Sequence, residues 1–317
     1  MVTALPERLN SAVIGVDIGG TKIAAGIVTP LGEALHVQTT RTPSSQGAEA
    51  ILHAVAEVAK PILDYAKSTA LKISAMGVSA GGQIDVTTGR VHYATNVITG
   101  WSGADIAGVL EERVSLPVTV DNDGNVWALG EHRFGAAKPY RDVLCVAVGT
   151  GVGGGLILNN KVHHGNSYSA GDMSHLLVET KNGRICTCGQ LGHLEAYAAG
   201  PAMARYYSEM AGLATPCELP VVAEKAAAGD TLARSAIEEG ARVLGRTLIG
   251  VLNLIDPQAL VIGGGVIQLG DVWWEPLVEE VRRNPIPSVA QIPVHRASLG
   301  QFSAVIGAGA LAYSQLE

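Results

Sequence analysis

The sequence is poor in aromatic and charged residues, and each shortage excludes a class of protein. Of the 317 residues, 4% are aromatic and 16% are charged, and the net charge is −7. Because lysine and arginine together number only 22, no basic face is expected, so nucleic acid and anionic membranes are excluded as partners. Hydrophobic residues make up 47%, which excludes an intrinsically disordered chain.

Long apolar runs and cysteines are also scarce. The longest uncharged run, Val143 to Asn160, is interrupted by five glycines, whereas a membrane span needs about 20 mainly apolar residues. The segment from Met1 to Ser11 contains charged residues and no long apolar stretch, so no signal peptide is expected. The four cysteines include the close pair Cys186 and Cys188, which is awkward for disulfides. A cytoplasmic, reducing compartment is therefore predicted.

Glycine, by contrast, is abundant, at 39 of 317 residues, or about 12% against roughly 7% on average. Two glycine-rich segments, Val13 to Val28 and Val143 to Leu158, each have the pattern strand, glycine turn, strand. The second begins about 130 residues after the first, which makes them a weak internal repeat. The repeat predicts two similar α/β domains with a cleft between them, which meet near residues 128–135.

Alternating helical and extended patterns fill the rest of the chain. Helices are predicted over Gly47–Lys67, Ser102–Arg113, Asn125–Phe134, Ala241–Ile255 and Val305–Tyr313. Strands are predicted over Ile73–Ala80, Pro117–Val120, Gly155–Val162 and Ala259–Ile262.

Both glycine turns are candidates for phosphate binding. Gly149 to Gly154 matches GxGxxG, but a strand is predicted after it, whereas a dinucleotide fold requires a helix there. No GxxxxGK[ST] sequence occurs, which excludes a P-loop. Glycines without Cβ let backbone N–H groups approach phosphate oxygens, and Asp17 in the first turn is suited to hold Mg²⁺ through water. Either turn alone is equally well explained as a tight hairpin.

The segment from Asp121 to Asn125 is the densest polar cluster in the chain. A calcium loop is excluded, because its sixth and twelfth positions hold Val126 and His132 instead of glycine and glutamate. An Asx turn or a helix N-cap is one interpretation. The other is a carboxylate at a strand end that acts as a general base.

Four residues have the chemistry of a zinc site. Cys186, Cys188 and His193 lie within eight residues, and His175 precedes Cys186 by eleven. Two cysteines and two histidines form a closed tetrahedral zinc site. The alternative is two buried thiols and two surface histidines. The adjacent pair His163–His164 has no matching partner pattern and is interpreted as part of a surface loop.

Five motifs together resemble those of the ROK sugar kinases, a family of bacterial glucokinase-like enzymes. They are DIGGTK (17–22), DNDGN (121–125), GTGVGGG (149–155), IGGG (262–265) and CTCGQLGHLEAYAAG (186–200). The first and third are similar to the family's two phosphate motifs, the second to its END-A-N segment and the fourth to its adenosine motif. The fifth resembles the zinc and sugar signature CxCGxxGCxE. The resemblance extends from Val13 to about Ala312.

The resemblance implies an α/β protein of the actin-like ATPase (ribonuclease H-like) fold with two similar α/β domains. The first domain would contain residues 1–130 and the second, with the zinc-binding sugar loop, residues 131–300. The C-terminal helix, about residues 301–317, is expected to pack back on the first domain. Family members are commonly dimers or tetramers, so a homodimer or homotetramer is expected.

The resemblance also implies ATP-dependent transfer of phosphate to the 6-hydroxyl of a hexose, with Mg²⁺ and a structural Zn²⁺. Asp123 would be the general base on that hydroxyl, and Asp17 would position Mg²⁺ with the ATP phosphates. The residues expected at the sugar are Gly81, Gly82, Asn96, Asn122, Asp123, Asp172, His175 and Glu195. Those expected at ATP are Asp17, Gly19, Gly20, Thr21, Lys22, Gly149, Thr150, Gly151, Gly264 and Gly265. The implied zinc ligands are His175, Cys186, Cys188 and His193.

Three positions depart from the family pattern. The family motif E-x-G-H is Asp172-Met-Ser174-His175 in this chain, the last cysteine ligand is His193, and the APGP loop is Ala80-Gly-Gly-Gln83. The shorter carboxylate would withdraw from a ring hydroxyl near C3, and an unmatched buried polar group costs roughly 1–3 kcal/mol. A hexose with an altered substituent, such as the 3-amino sugar kanosamine, is therefore one hypothesis. An N-acetyl hexosamine such as N-acetylmannosamine and a sugar-like cyclitol are two others. The alternative is a glucokinase that tolerates the aspartate.

Other classes of function are also considered. A ROK transcriptional repressor would carry a helix-turn-helix domain, but only twelve residues precede the first predicted strand. A non-catalytic sugar-binding relative would be expected to lose its base, whereas Asp17 and Asp123 are both present. A nicotinamide dehydrogenase lacks support because no helix is predicted after GxGxxG. The sequence does not decide whether polyphosphate can replace ATP as the phosphate donor.

Overall fold

The computed structural model describes residues 11–94, 98–283 and 285–317. Its strands are β1 (Ser11–Ile18), β2 (Lys22–Val28), β3 (Ala34–Arg41), β4 (Lys72–Ala80), β5 (Gln83–Asp85), β6 (Arg90–Tyr93), β7 (Val118–Asn122), β8 (Val143–Val148), β9 (Val152–Leu158), β10 (Lys161–Val162), β11 (Ala259–Gly263) and β12 (Val294–Arg296). Its helices are α1 (Ala48–Ser68), α2 (Ile106–Val114), α3 (Asp123–Phe134), α4 (Glu195–Ala198), α5 (Gly200–Met210), α6 (Leu219–Ala227), α7 (Thr231–Ile255), α8 (Asp271–Val281) and α9 (Ser303–Ser314).

The strands form two larger sheets with the same topology. The first has the order β3-β2-β1-β4-β7 and the second β10-β9-β8-β11-β12. In the first sheet, β1 and β2 form the predicted antiparallel hairpin, and β1, β4 and β7 run parallel. In the second, β8, β11 and β12 run parallel. Each sheet thus contains three consecutive strands followed by two parallel strands, as the internal repeat predicts.

The chain divides into two compact units. Unit 1 contains the residues up to Pro139, residues 155–170 and residues 298–317, and unit 2 contains residues 140–154 and 171–297. This division differs from the predicted boundary between residues 130 and 131. A boundary there would cut through α3, which continues as one helix to Phe134. Residues 155–170, predicted to belong to the second domain, also lie in unit 1.

Two helices cover opposite faces of the first sheet. On one face, α1 contributes Ile51, Val55 and Ile62 to a core with Ile14 and Ile23, all of them fully buried. On the other face, α9 contacts β1, β2 and β4 and also packs against α3. Because glycines on β1 and β4 lack Cβ, the backbone of α9 can approach the sheet closely. The C-terminal helix therefore forms part of the core of unit 1.

Several predicted elements have different limits in the structure. Helix α7 begins at Thr231, ten residues before the predicted start at Ala241. Helix α2 begins at Ile106 rather than at Ser102, because the Asp105 side chain caps it by accepting a hydrogen bond from the Gly108 N–H at 3.0 Å. The strand predicted over Gly155–Val162 is interrupted by Asn159 and Asn160, whose φ angles are 54° and 62°. Two such residues form the two-residue turn of a hairpin, so β9 and β10 are separate strands.

The described residues contain no helix that is both long enough and apolar enough to cross a bilayer.

Substitution of Gly77 by alanine tests the packing of α9 on the first sheet. An added Cβ would collide with the backbone carbonyl oxygen of Ala308, which cannot move without moving the helix. We expect a loss of about 1–3 kcal/mol in the free energy of unfolding, measured by urea denaturation. Gly250→Ala in α7 is the matched control, because its Cβ would meet no atom within 4 Å and should stabilise the helix by about 0.5–1 kcal/mol. Equal effects of both substitutions would contradict this packing.

Candidate functional site

Polar residues of unit 1 meet at the carboxyl ends of its parallel strands. In register, Asp17 of β1 lies beside Ser79 of β4, and Ser79 lies beside Asp121 of β7. Residues directly beside each other in neighbouring strands project from the same face of a sheet. The three side chains therefore form a row at one edge of the first sheet, immediately before Asn122 and Asp123.

The Asp17 side chain is partly buried and held by a hydrogen bond. The hydroxyl of the buried Ser79 donates to Asp17 Oδ1 at 2.8 Å. Burial raises the pKa of Asp17, and the Ser79 hydrogen bond and the positive charge of Lys22 act in the opposite direction. A divalent cation at this carboxylate would favour its ionised form, so the environment fits the predicted magnesium position.

The first glycine turn joins β1 to β2 and is fixed from one side. The Gly19 N–H donates to the Lys22 carbonyl oxygen at 3.0 Å, and the Thr42 hydroxyl donates to the Gly19 carbonyl oxygen at 2.7 Å. Gly20, Thr21 and Lys22 are exposed. The turn predicted to bind phosphate is thus held by hydrogen bonds at Gly19, and the residues that follow Gly19 are accessible to solvent.

Asn122 and Asp123 lie where β7 passes into α3. The Asn122 Oδ1 atom accepts hydrogen bonds from the N–H groups of Gly124 (2.9 Å) and Asn125 (3.3 Å), so Asn122 is the N-cap of the helix. Its Nδ2 atom donates to the Gly82 carbonyl oxygen at 2.9 Å, which leaves one amide hydrogen for a ligand. Asp123 is the exposed first residue of α3. The N-cap interpretation is therefore confirmed for Asn122.

The loop predicted to contact the sugar is positioned by two side chains. Asn122 holds Gly82, whose φ of 103° requires glycine, and the Trp101 indole N–H donates to the Gly81 carbonyl oxygen at 2.9 Å. The sequence interpretation did not include Trp101, and no motif marks it. Asn96, also predicted at the sugar, lies outside the described residues.

His164 contacts the polar row, contrary to its interpretation as surface loop. Its Nε2 atom lies 2.7 Å from Oδ2 of Asp121, which is 2% exposed. The hydrogen bond and the charge of Asp121 raise the pKa of His164, and partial burial lowers it. Asp121 was predicted only as part of the polar cluster. The strand register could have shown that its side chain points into the row, but no sequence pattern identifies His164 as its partner.

In unit 2, the second glycine turn is adjacent to Glu195. The Gly149 N–H donates to the Gly151 carbonyl oxygen at 2.9 Å, and the Gly200 N–H donates to the Gly149 carbonyl oxygen at 2.9 Å. A side chain at Gly151 would collide with the Glu195 carboxylate. Thr150, at the tip of the turn, is exposed. The predicted phosphate turn and a predicted sugar residue are therefore neighbours within one unit.

Glycine is also required where β11 ends. Gly264 has a φ of 86°, and an added Cβ would collide with the backbone of Val148 in β8. A Cβ at Gly265 would meet no atom within 4 Å. In the segment predicted to lie against adenosine, Gly264 is thus closely packed against β8, whereas there is open space beside Gly265.

The four predicted zinc ligands lie together in unit 2. One ligand atom from each of His175, Cys186, Cys188 and His193 lies within 4.8 Å of every other. The Cys186 Sγ to His175 Nδ1 distance is 3.9 Å, and the Cys188 Sγ to His193 Nδ1 distance is 3.2 Å. Zinc bonds of about 2.0–2.3 Å in a tetrahedron separate ligand atoms by roughly 3.3–3.8 Å. The donor set and its spacing therefore fit zinc, including nitrogen from His193 in place of sulfur.

Comparison with known proteins identifies the family. A model of the ROK family matches residues 13–315. The chain belongs to the ROK family. It is 34% identical to a glucokinase of Streptomyces coelicolor, over 94% of this chain and 96% of that protein. It is 33% identical to an N-acetyl-D-glucosamine kinase of Citrobacter koseri, over 94% of this chain and 98% of that protein.

A solved ROK family structure confirms the fold. The glucokinase from Streptomyces griseus in complex with glucose and AMPPNP superposes with a TM-score of 0.82 at 34% identity, over 96% of this chain and 99% of that one. The ROK family has the actin-like ATPase fold, so the prediction of fold class is correct.

Two departures from the ROK motif contact each other. The Asp172 Oδ1 atom accepts a hydrogen bond from the Ser174 N–H at 3.2 Å and another from the Ser174 hydroxyl. Asp172 is exposed and Ser174 is buried. One oxygen of the shortened carboxylate is therefore occupied within its own loop. The serine that replaces the family glycine provides both donors.

Proposed function

We propose that this ROK-family chain is an ATP-dependent sugar kinase that phosphorylates the 6-hydroxyl of a hexose, with glucose as the leading substrate. The observation that carries the proposal is the presence of two carboxylates, Asp17 and Asp123, at the ends of parallel strands of one sheet. Support comes from the 34% identity to a glucokinase and from the likeness to a ROK glucokinase that binds glucose and AMPPNP.

In this proposal Asp123 accepts the proton of the 6-hydroxyl as that oxygen attacks the terminal phosphorus of ATP. The bond between that phosphorus and the bridging oxygen breaks, and ADP leaves with the electron pair. Asp123 is exposed at the start of α3, where a substrate can approach its carboxylate. The remaining amide hydrogen of Asn122 donates to a neighbouring ring hydroxyl and orients the sugar. Catalysis of this kind depends mostly on positioning and on charge neutralisation.

From the resemblance to the family we infer that each glycine turn binds phosphate through backbone N–H groups and that Gly264 and Gly265 lie against adenosine. Mg²⁺, when bound, neutralises phosphate charge. Asp17 is the residue that would hold Mg²⁺, and Ser79 fixes the orientation of its carboxylate. We also propose that the protein is a homodimer or homotetramer in the cytoplasm.

The identity of the sugar depends on Asp172. Sequence identity does not decide it, because a relative named glucokinase and one named N-acetyl-D-glucosamine kinase are 34% and 33% identical to this chain, a difference of one percentage point. Ser174 holds one oxygen of Asp172, so the other oxygen is the one left for a ligand. A 3-amino group would extend toward it as a cation. Kanosamine is therefore the substrate we propose beside glucose, with N-acetyl hexosamines and cyclitols as the other candidates.

Asp123→Asn tests the general base. We expect kcat with Mg-ATP to fall by about 10²–10⁴-fold, which is what a positioned base contributes, while the thermal midpoint and zinc content stay unchanged. Asp64→Asn, an exposed carboxylate on α1, is the matched control and should retain full activity. Turnover by Asp123→Asn at the wild-type rate would remove Asp123 from this role.

A sugar panel tests the role of Asp172. ADP release with Mg-ATP is measured for glucose, mannose, N-acetylmannosamine, N-acetylglucosamine, kanosamine and a cyclitol. We expect Asp172→Glu with Ser174→Gly, which restores the family motif, to lower the kanosamine-to-glucose ratio of kcat/KM about 10–100-fold, because a charged hydrogen bond contributes about 1.5–3 kcal/mol. An unchanged ratio would identify an ordinary glucokinase. If no sugar is turned over, two hypotheses remain. The protein is then a non-catalytic sugar-binding protein, or it uses a phosphate donor other than ATP.

Metal analysis tests the zinc site. Purified protein should contain about one zinc per chain, since a closed Cys₂His₂ site binds the ion tightly. Cys188→Ser should lower the zinc content and the thermal midpoint together. Cys217→Ser is the matched control, because Cys217 is hydrogen-bonded to Ser208 and lies outside the cluster. Wild-type protein without zinc would show that His193 does not replace the family cysteine.

A further inference from the structure

We propose that His164 is a positioning residue for phosphoryl transfer, which acts through Asp121 to fix the segment that carries Asn122 and Asp123. This inference rests on the proposed kinase function and adds to it a residue that none of the motifs contains. All four residues belong to unit 1.

Asp121 uses both carboxylate oxygens to hold the junction between β7 and α3. Its Oδ1 atom accepts hydrogen bonds from the Asn122 N–H at 2.7 Å and from the Asn125 amide at 3.1 Å. Its Oδ2 atom accepts from His164 Nε2 at 2.7 Å. An ionised carboxylate only accepts, so the ring nitrogen of His164 is the donor. His164 is thus the partner of Asp121 from outside this junction.

The burial of Asp121 makes this partner necessary. With 2% of its surface exposed, the carboxylate cannot exchange His164 for bulk water without moving. A buried charge that loses its partner is strongly destabilised, so the carboxylate would turn toward solvent. That rotation would break the two hydrogen bonds on Oδ1, and the N-cap residue Asn122 and the adjacent Asp123 would shift. A misplacement of about 1 Å at a reacting group is enough to lower a rate about 100-fold.

The loop that carries His164 is itself held in place. The Ala170 N–H donates to the His164 carbonyl oxygen at 3.1 Å. The Tyr168 hydroxyl donates to the Asp85 carboxylate at 2.9 Å. These two contacts anchor the loop after β10 to itself and to β5, so His164 is presented to Asp121 from a fixed backbone. The side chain of His164 is only 25% exposed, which limits competition from water.

Kinetics of His164 variants test the inference. We expect His164→Leu to lower kcat by about 10–100-fold, with a much smaller change in the KM for ATP, because the contacts of Asp121 lie at the β7–α3 junction. His164→Gln, whose amide can donate to Asp121, should recover most of the loss. His163→Leu is the matched control, since His163 is the exposed neighbour, and should stay within about 2-fold of wild type.

The combination with Asp121→Asn separates positioning from a general structural role. If His164 acts through Asp121, His164→Leu should cost no further kcat in the Asp121→Asn background. All rates are measured well below the thermal midpoint of each variant and per folded molecule. A His164→Leu protein with a lower midpoint but wild-type kcat would overturn the inference, and so would additive effects of the two substitutions. Absence of turnover in the wild type with every sugar would instead overturn the proposed function, and this inference with it.

Discussion

The parallel register of β1, β4 and β7 is the constraint on which the rest of the candidate site depends. It places Asp17, Ser79 and Asp121 side by side at one edge, and the chain continues from that edge into Asn122 and Asp123. A shift of one residue in this register would turn these side chains to the opposite face, where α1 packs. The hydrophobic contacts of α1 and α9 with the two faces thus hold the polar row in position.

The fold could be predicted largely from the sequence, because glycine turns and apolar periodicity are local signals. The hairpin of Val13–Val28, the absence of a helix after Gly154 and the apolar stripe of α7 are all visible without a structure. The grouping of His175, Cys186, Cys188 and His193 follows from their spacing and chemistry. The limits of α2 and the hairpin after β9 were harder to predict, since they depend on a side-chain cap and on two asparagines with positive φ.

Contacts between distant segments were not predictable from the pattern. Nothing near His164 in sequence differs from an exposed polar loop, and its partner lies 43 residues away. Ser79 is a small polar residue within a mostly apolar strand, and its contact with Asp17 follows from the sheet register. The hydrogen bonds between Asp172 and Ser174 join two positions that depart from the family motif. These two changes lie two residues apart and form one local rearrangement, so they have to be interpreted together.

The packing of α9 against β1 and β4 also affects how the protein is made. The ribosome delivers β1, β2, β3, β4 and β7 long before α9, and the glycine-lined face of their sheet has no partner during that interval. Domains generally fold as units, with the N-terminal domain first, while the chain is synthesised at roughly 5–20 residues per second. Unit 1 is an exception to simple vectorial folding, because one of its core helices emerges after the whole of unit 2. The nascent chain therefore carries an uncovered sheet face for as long as the second unit takes to be translated.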